Sequence, residues 1–258
     1  MEKMKASVII QARMGARRLP GKVLLKTCGK SVLEHIIERV SRAKRVDQIV
    51  IATTISEEDL PIVSFAASKG IKVFCGSEQD VLDRYYQAAR LFEFKHIVRI
   101  TGDCPLIDPK IIDDIIGVYF KHKVAYAANG IEPTFPDGED VEVFSFQALE
   151  KAWEKAVLAS QREHVTSFIR DNAKKFKQYS FKQAKDLSQL RWTLDEPQDW
   201  VLIRKIFQHL YPLKPAFSMQ DILQALDQHP QWNQVNGHIK RNEGYALSLK
   251  KDKVVTHG

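Results

Sequence analysis

Through the first half of the chain, short apolar runs alternate with amphipathic stretches. Residues 6–11 (ASVIIQ) read as a buried strand, followed at once by a Gly/Pro loop. Residues 31–42 place Val32, Ile36, Ile37 and Val40 on one helical face, with Ser31 as N-cap and Glu34 completing a capping box. Residues 48–53 (QIVIAT) form a second strand, and 58–69 a helix closed by Gly70. Residues 71–74 are a short third strand and 81–92 a helix. Residues 96–101 (HIVRIT) are a fourth strand, and a helix runs from Pro109 to about Lys121.

Beyond residues 124–128 the pattern loosens. Two prolines and two glycines fall within residues 130–138. A short alternating strand follows at 140–144, then helices at 145–156 and 162–172. A strand at 191–193 precedes a helix from Pro197 to about Leu210, and residues 218–229 are a last amphipathic helix. The pattern predicts one domain over residues 1–245 and a polar tail over 246–258, its last few residues disordered. Strand–helix repetition of this kind implies an α/β fold with a largely parallel sheet covered on both faces. Ligands of such sheets lie at the carboxyl ends of the strands, so the loops after Gln11, Thr53 and Thr101 are the places to look.

Composition narrows the class. Of 258 residues, 44% are hydrophobic and 28% charged, and 39 Lys and Arg exceed 32 Asp and Glu to give a net +7. That excess excludes a disordered polyelectrolyte and still allows a basic pocket for a phosphorylated ligand. Aromatic-interleaved basic stripes are absent, so no nucleic-acid partner is expected, although a module binding some other polyanion stays open. The three cysteines, Cys28, Cys75 and Cys104, show no C-x-x-C spacing, which argues for reduced thiols in a cytoplasmic protein. The run Val8–Ile10 is too short for a signal peptide, and no stretch approaches the ~20 apolar residues that a membrane span needs.

The richest loop is residues 11–22, which carries Arg13, Arg17, Arg18 and Lys22 with Gly15 and Gly21. Glycines let backbone N–H groups approach phosphate oxygens that the cations neutralise, although a solvated basic turn has the same composition. It is not a P-loop: five residues separate the glycines, and Val23 stands where a magnesium-binding Ser or Thr belongs. At the end of the fourth strand, Thr101-Gly102-Asp103 offers a hard oxygen ligand suited to Mg²⁺; a turn Asp satisfying backbone amides is the alternative. Asp195, just before Glu196-Pro197, has an ordinary helix cap as its alternative. Asp137, Glu139, Asp140 and Glu142 could read sugar hydroxyls or form a polar hairpin tip. Arg162 and Thr166 share a helical face beside Glu163 and His164. G-x-S-x-G and D-x-D are both absent, against a serine hydrolase and a D-x-D glycosyltransferase.

Five segments in register, VIIQARMGARRLPGKVL, RITGDCPLIDP, DGEDVEVFSFQALEKA, REHVTSFI and WTLDEPQDW, resemble the SpsF-like spore-coat polysaccharide proteins. That group falls in the cytidylyltransferase family, with the CMP-Kdo and CMP-sialic-acid synthetases. The resemblance, from about Val8 to Trp200, implies a three-layer nucleotide-diphospho-sugar-transferase fold with a mixed, mostly parallel seven-stranded sheet. It also implies a protruding element over 130–160 used for dimerisation and substrate, hence a homodimer. It places Arg13 and Lys22 on the triphosphate, with Gly15 and Arg18 in the same wrapping loop. Gln11 and Ala12 fall beside the cytosine, with Thr101 next to Asp103. Mg²⁺ is implied between Asp103 and Asp195. Asp140, Glu142, Arg162, Glu163 and His164 are left to face a sugar substrate. The implied reaction transfers CMP from CTP to a 2-keto-3-deoxy acid, with release of pyrophosphate. A glycosyltransferase using a finished nucleotide sugar is the alternative. One departure stands out: Ala16 and Arg17 replace the Ser and Thr of the usual loop.

Overall fold

The computed structural model describes residues 4–241 and 243–255. Its main sheet has seven strands in the order β5-β4-β1-β6-β8-β7-β9. These are β1 (Ala6–Gln11), β4 (Val46–Thr54), β5 (Lys72–Gly76), β6 (His96–Thr101), β7 (Tyr126–Ala128), β8 (Glu142–Ser145) and β9 (Gln178–Ser180). β2 (Lys26–Thr27) and β3 (Lys30–Ser31) make a separate two-residue ribbon. β1 pairs in parallel with β4 and β6, and β4 with β5, while β8 runs antiparallel to β6 and β7. The sheet is therefore mixed and mostly parallel.

Alternation along β1 shows why both faces are covered. Val8 and Ile10 enter one core and Ile9 the other, all fully buried. The first core receives Leu33 and Ile36 of α1 (Val32–Val40), Ile112 and Ile116 of α4 (Pro109–His122), and Phe207 of α8 (Pro197–Leu210). It also takes Ile62 of α2 (Leu60–Ser68) and Ile222 of α9 (Met219–Gln228). The second receives Leu82 and Tyr85 of α3 (Val81–Leu91), Leu149 of α5 (Phe146–Lys155) and, beyond α6 (Ala159–Glu163), Ile169 of α7 (Ser167–Asp171). Each such aliphatic side chain contributes ~1.5–3 kcal/mol on leaving water, so the two cores lock the helices to the sheet.

Several expectations need correction. The helix expected over 162–172 is two short ones, α6 and α7, broken where Val165 adopts φ 57°. A left-handed β-branched residue cannot continue a helix. Residues 191–193 do not join the sheet; Arg191 makes only an isolated bridge to Asp137. The element over 130–160 does not stand clear of the body. β8 fills an interior place in the sheet, and α5 lies on α3, where Tyr86 stacks on Trp153 at 4.2 Å and Trp153 donates to Asp83. The polar tail contains α10 (Glu243–Lys250), after which Asp252 accepts from the backbone and hydroxyl of Ser160. The expected disorder of the last few residues concerns 256–258, which lie outside the described residues.

Candidate active site

Gln11 and Thr101 end β1 and β6 in register, so the loops that follow emerge side by side. Gly102 donates its N–H to the Gln11 carbonyl at 2.8 Å, and a Cβ there would sit 2.8 Å from that same oxygen. Only glycine permits the contact, and it places Asp103 beside the cationic loop. That loop is anchored in turn by Met14, whose N–H donates to Asp59. Asp59 is buried and also accepts from the hydroxyls of Thr53 and Thr54. The loop then reverses at Gly21 (φ 68°) into a short turn, Lys22–Leu24, that buries Lys22.

The Lys22 ammonium lies 2.9 Å from Asp103 Oδ2, 2.8 Å from Asp195 Oδ1 and 2.8 Å from the Leu194 carbonyl. Burial acts to lower the Lys22 pKa, but Asp103 and Asp195 outweigh it and the pKa is raised. Burial likewise acts to raise that of Asp103; the Lys22 charge and hydrogen bonds from Thr101, Lys22 and Cys104 hold it at about 2. Lys22 and Asp103 therefore each stabilise the charged form of the other. Arg18 extends the cluster outward, 3.2 Å from Asp195 and 2.9 Å from Glu196.

Asp195 is aimed by residues that pattern alone did not single out. Asp199, fully buried in the first turn of α8, accepts the N–H groups of Asp195 and Glu196 and takes both prongs of Arg191. Asn236 donates to the same carboxylate. Leu194 N–H donates to the Asp103 carbonyl, tying the two acidic segments together. The sequence carries a signal for it: Asp199 stands four residues after Asp195 in the segment WTLDEPQDW.

Other candidates lie elsewhere. Arg13 does not join the Lys22 cluster; its guanidinium is 3.6 Å from Glu78. Ala12 is buried, its N–H bonded to Ala52. Gly15 is half-buried in the loop, close to Glu58. Gln11 accepts from Arg99, and Arg99 pairs with Glu142, which also takes the hydroxyls of Tyr126 and Thr166. Burial opposes the Glu142 charge, yet Arg99 and the two hydroxyls keep its pKa below the ordinary value. Asp140 is bound to Arg241 and Glu139 to the Asp108 N–H, so the acidic run is not a hairpin tip. Arg162 is turned inward, with Nε and Nη2 on Asp80 and Nη1 on the Trp153 carbonyl. It is 4% exposed and braces α3 against α6, so it is not placed to face a substrate. Glu163 accepts from Ser248 at the surface. The His164 ring stands edge-on to Tyr245 at 4.8 Å, its Nε2 buried with no hydrogen-bond partner among the described residues.

A mostly parallel sheet at whose carboxyl edge a cationic loop meets two converging carboxylates fits a nucleotidyltransferase-type site. The cytidylyltransferase profile matches residues 7–213. An uncharacterized protein of Methanocaldococcus jannaschii is 38% identical over 92% of this chain and 97% of its own length. The spore coat polysaccharide biosynthesis protein SpsF of Bacillus subtilis is 32% identical over 86% and 94%. A 3-deoxy-manno-octulosonate cytidylyltransferase of Anaeromyxobacter dehalogenans is 37% identical over 43% of this chain and 46% of its own length. Among solved structures, a cytidylyltransferase from Leptospira borgpetersenii superposes with a TM-score of 0.85 at 33% identity, over 90% of this chain and 97% of that one. The chain belongs to the cytidylyltransferase family.

Proposed function

We propose that this enzyme transfers CMP from CTP to a sugar acid of the 2-keto-3-deoxy class destined for a surface polysaccharide. The observation that carries the reading is the meeting of Lys22, Asp103 and Asp195 at one point beside the cationic loop. The names of the SpsF and octulosonate relatives support the substrate class.

In the reaction a sugar hydroxyl forms a bond to the α-phosphorus of CTP, the bond to the bridging oxygen breaks, and pyrophosphate leaves. Such chemistry asks the protein chiefly for positioning and charge neutralisation. Lys22 and Arg18 would stabilise the charge that grows on the departing pyrophosphate. For that, Arg18 must release Asp195 and Glu196 and turn to the phosphates.

The two carboxylates converge on the Lys22 ammonium, and once that ammonium swings to the phosphates their hard oxygens would suit a divalent cation such as Mg²⁺. Among the described residues no group of three or more His, Cys, Asp or Glu side chains is gathered to hold a metal, so phosphate oxygens and water would complete the shell. Held by Asp103 and Asp195, magnesium would neutralise phosphate charge and acidify the attacking hydroxyl. A cytoplasmic location and a homodimer belong to the same reading. No described helix is long and apolar enough to cross a membrane, and the dimer rests on the family resemblance.

Incubation with CTP, Mg²⁺ and a panel of ulosonic acids should release pyrophosphate with one or a few of them. Consumption of a nucleotide sugar without pyrophosphate would replace this reading with a glycosyltransferase. Equal stabilisation by heparin and by CTP with Mg²⁺ in thermal shifts would favour polyanion binding.

A further inference from the structure

Gln11 is a polar residue ending an apolar strand. On β1 it shares a face with Ile9, which is buried in the second core, and its side chain leans toward β6, where Arg99 Nε donates to its Oε1 at 3.1 Å. A guanidinium has donors only, so the amide oxygen must face Arg99 and the Nε2 group lies on the other side of the amide. That NH₂ has no hydrogen-bond partner among the described residues, and the residue is half-buried. Arg99 is itself held: its Nη1 pairs with Glu142, whose other oxygen takes the hydroxyls of Tyr126 and Thr166. Glu142 is thus spent inside the protein, and its influence reaches the sheet edge through Arg99 and Gln11.

Gln11 stands where the two substrates of the proposed reaction would meet. Its carbonyl takes the N–H of Gly102, one residue before Asp103, and its partner in register on β6 is Thr101. Its backbone leads into the cationic loop toward Lys22, whereas its side chain turns to β6 and β8. In the ring form of a 2-keto-3-deoxy acid, the attacking hydroxyl and the carboxylate sit on the same carbon. The carboxylate must therefore come to rest beside the reacting phosphorus. Lys22 and Arg18 are drawn to phosphates there, and Arg99, Arg191 and Arg241 are already paired with Glu142, Asp199 and Asp140. An uncharged amide with its N–H groups free can take that role.

We propose that the Gln11 side-chain amide receives the carboxylate of the sugar acid, donating from Nε2 in an orientation that Arg99 sets. This role rests on the sugar-acid reading and gives it a specificity-determining residue. A hydrogen bond to an ionised acceptor is stronger than one to a neutral oxygen, so the amide favours the acid over an uncharged sugar of the same shape.

Gln11→Glu can still accept from Arg99 but has no N–H to give, and it sets a negative charge against that of the substrate. Gln11→Met removes donor and acceptor together, and carries the test if the Glu variant fails to fold. Wild type and both variants are assayed for pyrophosphate release with the ulosonic acid that wild type turns over fastest and with the methyl ester of that acid. CTP binding is measured alongside by calorimetry. In both variants the KM for the acid should rise by on the order of tenfold to a hundredfold, the preference for acid over ester should vanish, and the Kd for CTP should stay unchanged. A KM for the acid that both variants leave intact overturns the proposal, as does a rise confined to Gln11→Glu, which repulsion alone would give. Weaker CTP binding with the preference for the acid retained would place Gln11 on the nucleotide and overturn it too. Wild type that releases no pyrophosphate with any acid of the panel overturns the sugar-acid reading, and this role with it.

Discussion

Arg191 grips both carboxylate oxygens of Asp199 at 2.9 Å, inside a shell from which water is almost wholly removed. The pair spans the bend between residue 191 and helix α8, and the free lone pairs of Asp199 hold the backbone of Asp195. Asp199→Ala should therefore cost about 3 kcal/mol in urea unfolding, since it takes the bidentate partner from a buried guanidinium and leaves it Asp137 and Asp195. Asp199→Asn, which keeps the shape, should unfold more easily by less and still slow pyrophosphate release. Full activity in a stable Asn variant would show that Asp195 needs no such support.

Lys22→Met should lower the rate of pyrophosphate release by ~10²–10³, the usual effect of removing one charge-stabilising group. Removing the ammonium also exposes Asp103 and Asp195 to each other. Magnesium should then raise the melting temperature of the variant more than that of wild type. Equal shifts would mean that the two carboxylates do not share an ion.

Asp103 makes the acid limb of stability informative. Its folded pKa of about 2 lies below the ordinary 3.8, so its contribution is complete above about pH 4 and lost as pH falls toward 2. The difference amounts to about 2 kcal/mol. Because other acids titrate in the same range, the quantity to follow is wild type minus Lys22→Met. That difference should shrink between pH 4 and pH 2 in denaturant titrations, and a constant difference would contradict the pairing.

Arg162→Met should destabilise the fold by about 3 kcal/mol through the loss of the Asp80 pair, and should leave the Kd for CTP unchanged. Calorimetry beside thermal melts separates the two effects. A variant that melts normally but binds the sugar acid poorly would return Arg162 to the substrate.

Local pattern found what local forces build. Residues 6–11 and 96–101 are strands with those same bounds, because continuous β-branched runs suit a strand buried on both faces. Ser31 caps α1 through the Glu34 N–H, but the Glu34 carboxylate goes to Lys69 rather than back to the cap, a partner 35 residues away. β9 was not foreseen, since Gln178-Tyr179-Ser180 has too little apolar content and is made a strand by pairing with β7. The break at Val165 escaped for the same reason: the flanking residues have helical periodicity, and the turn follows tertiary contacts. In the site, residue types and strand-end positions marked Lys22 and Asp103, whereas Asp195 read locally as an ordinary helix cap and was pointed to by the family resemblance. Their meeting joins points 81 and 173 residues apart, which spacing alone does not reveal.

The bare Cα of Gly102 has a consequence for how this enzyme can vary. Its contact with the Gln11 carbonyl welds the turn that would cradle the nucleotide to the turn that carries Asp103, leaving no slack to move one without the other. New substrates must therefore come by exchanging side chains around a fixed seam, while lengthening or shortening either turn at that point would dismantle both.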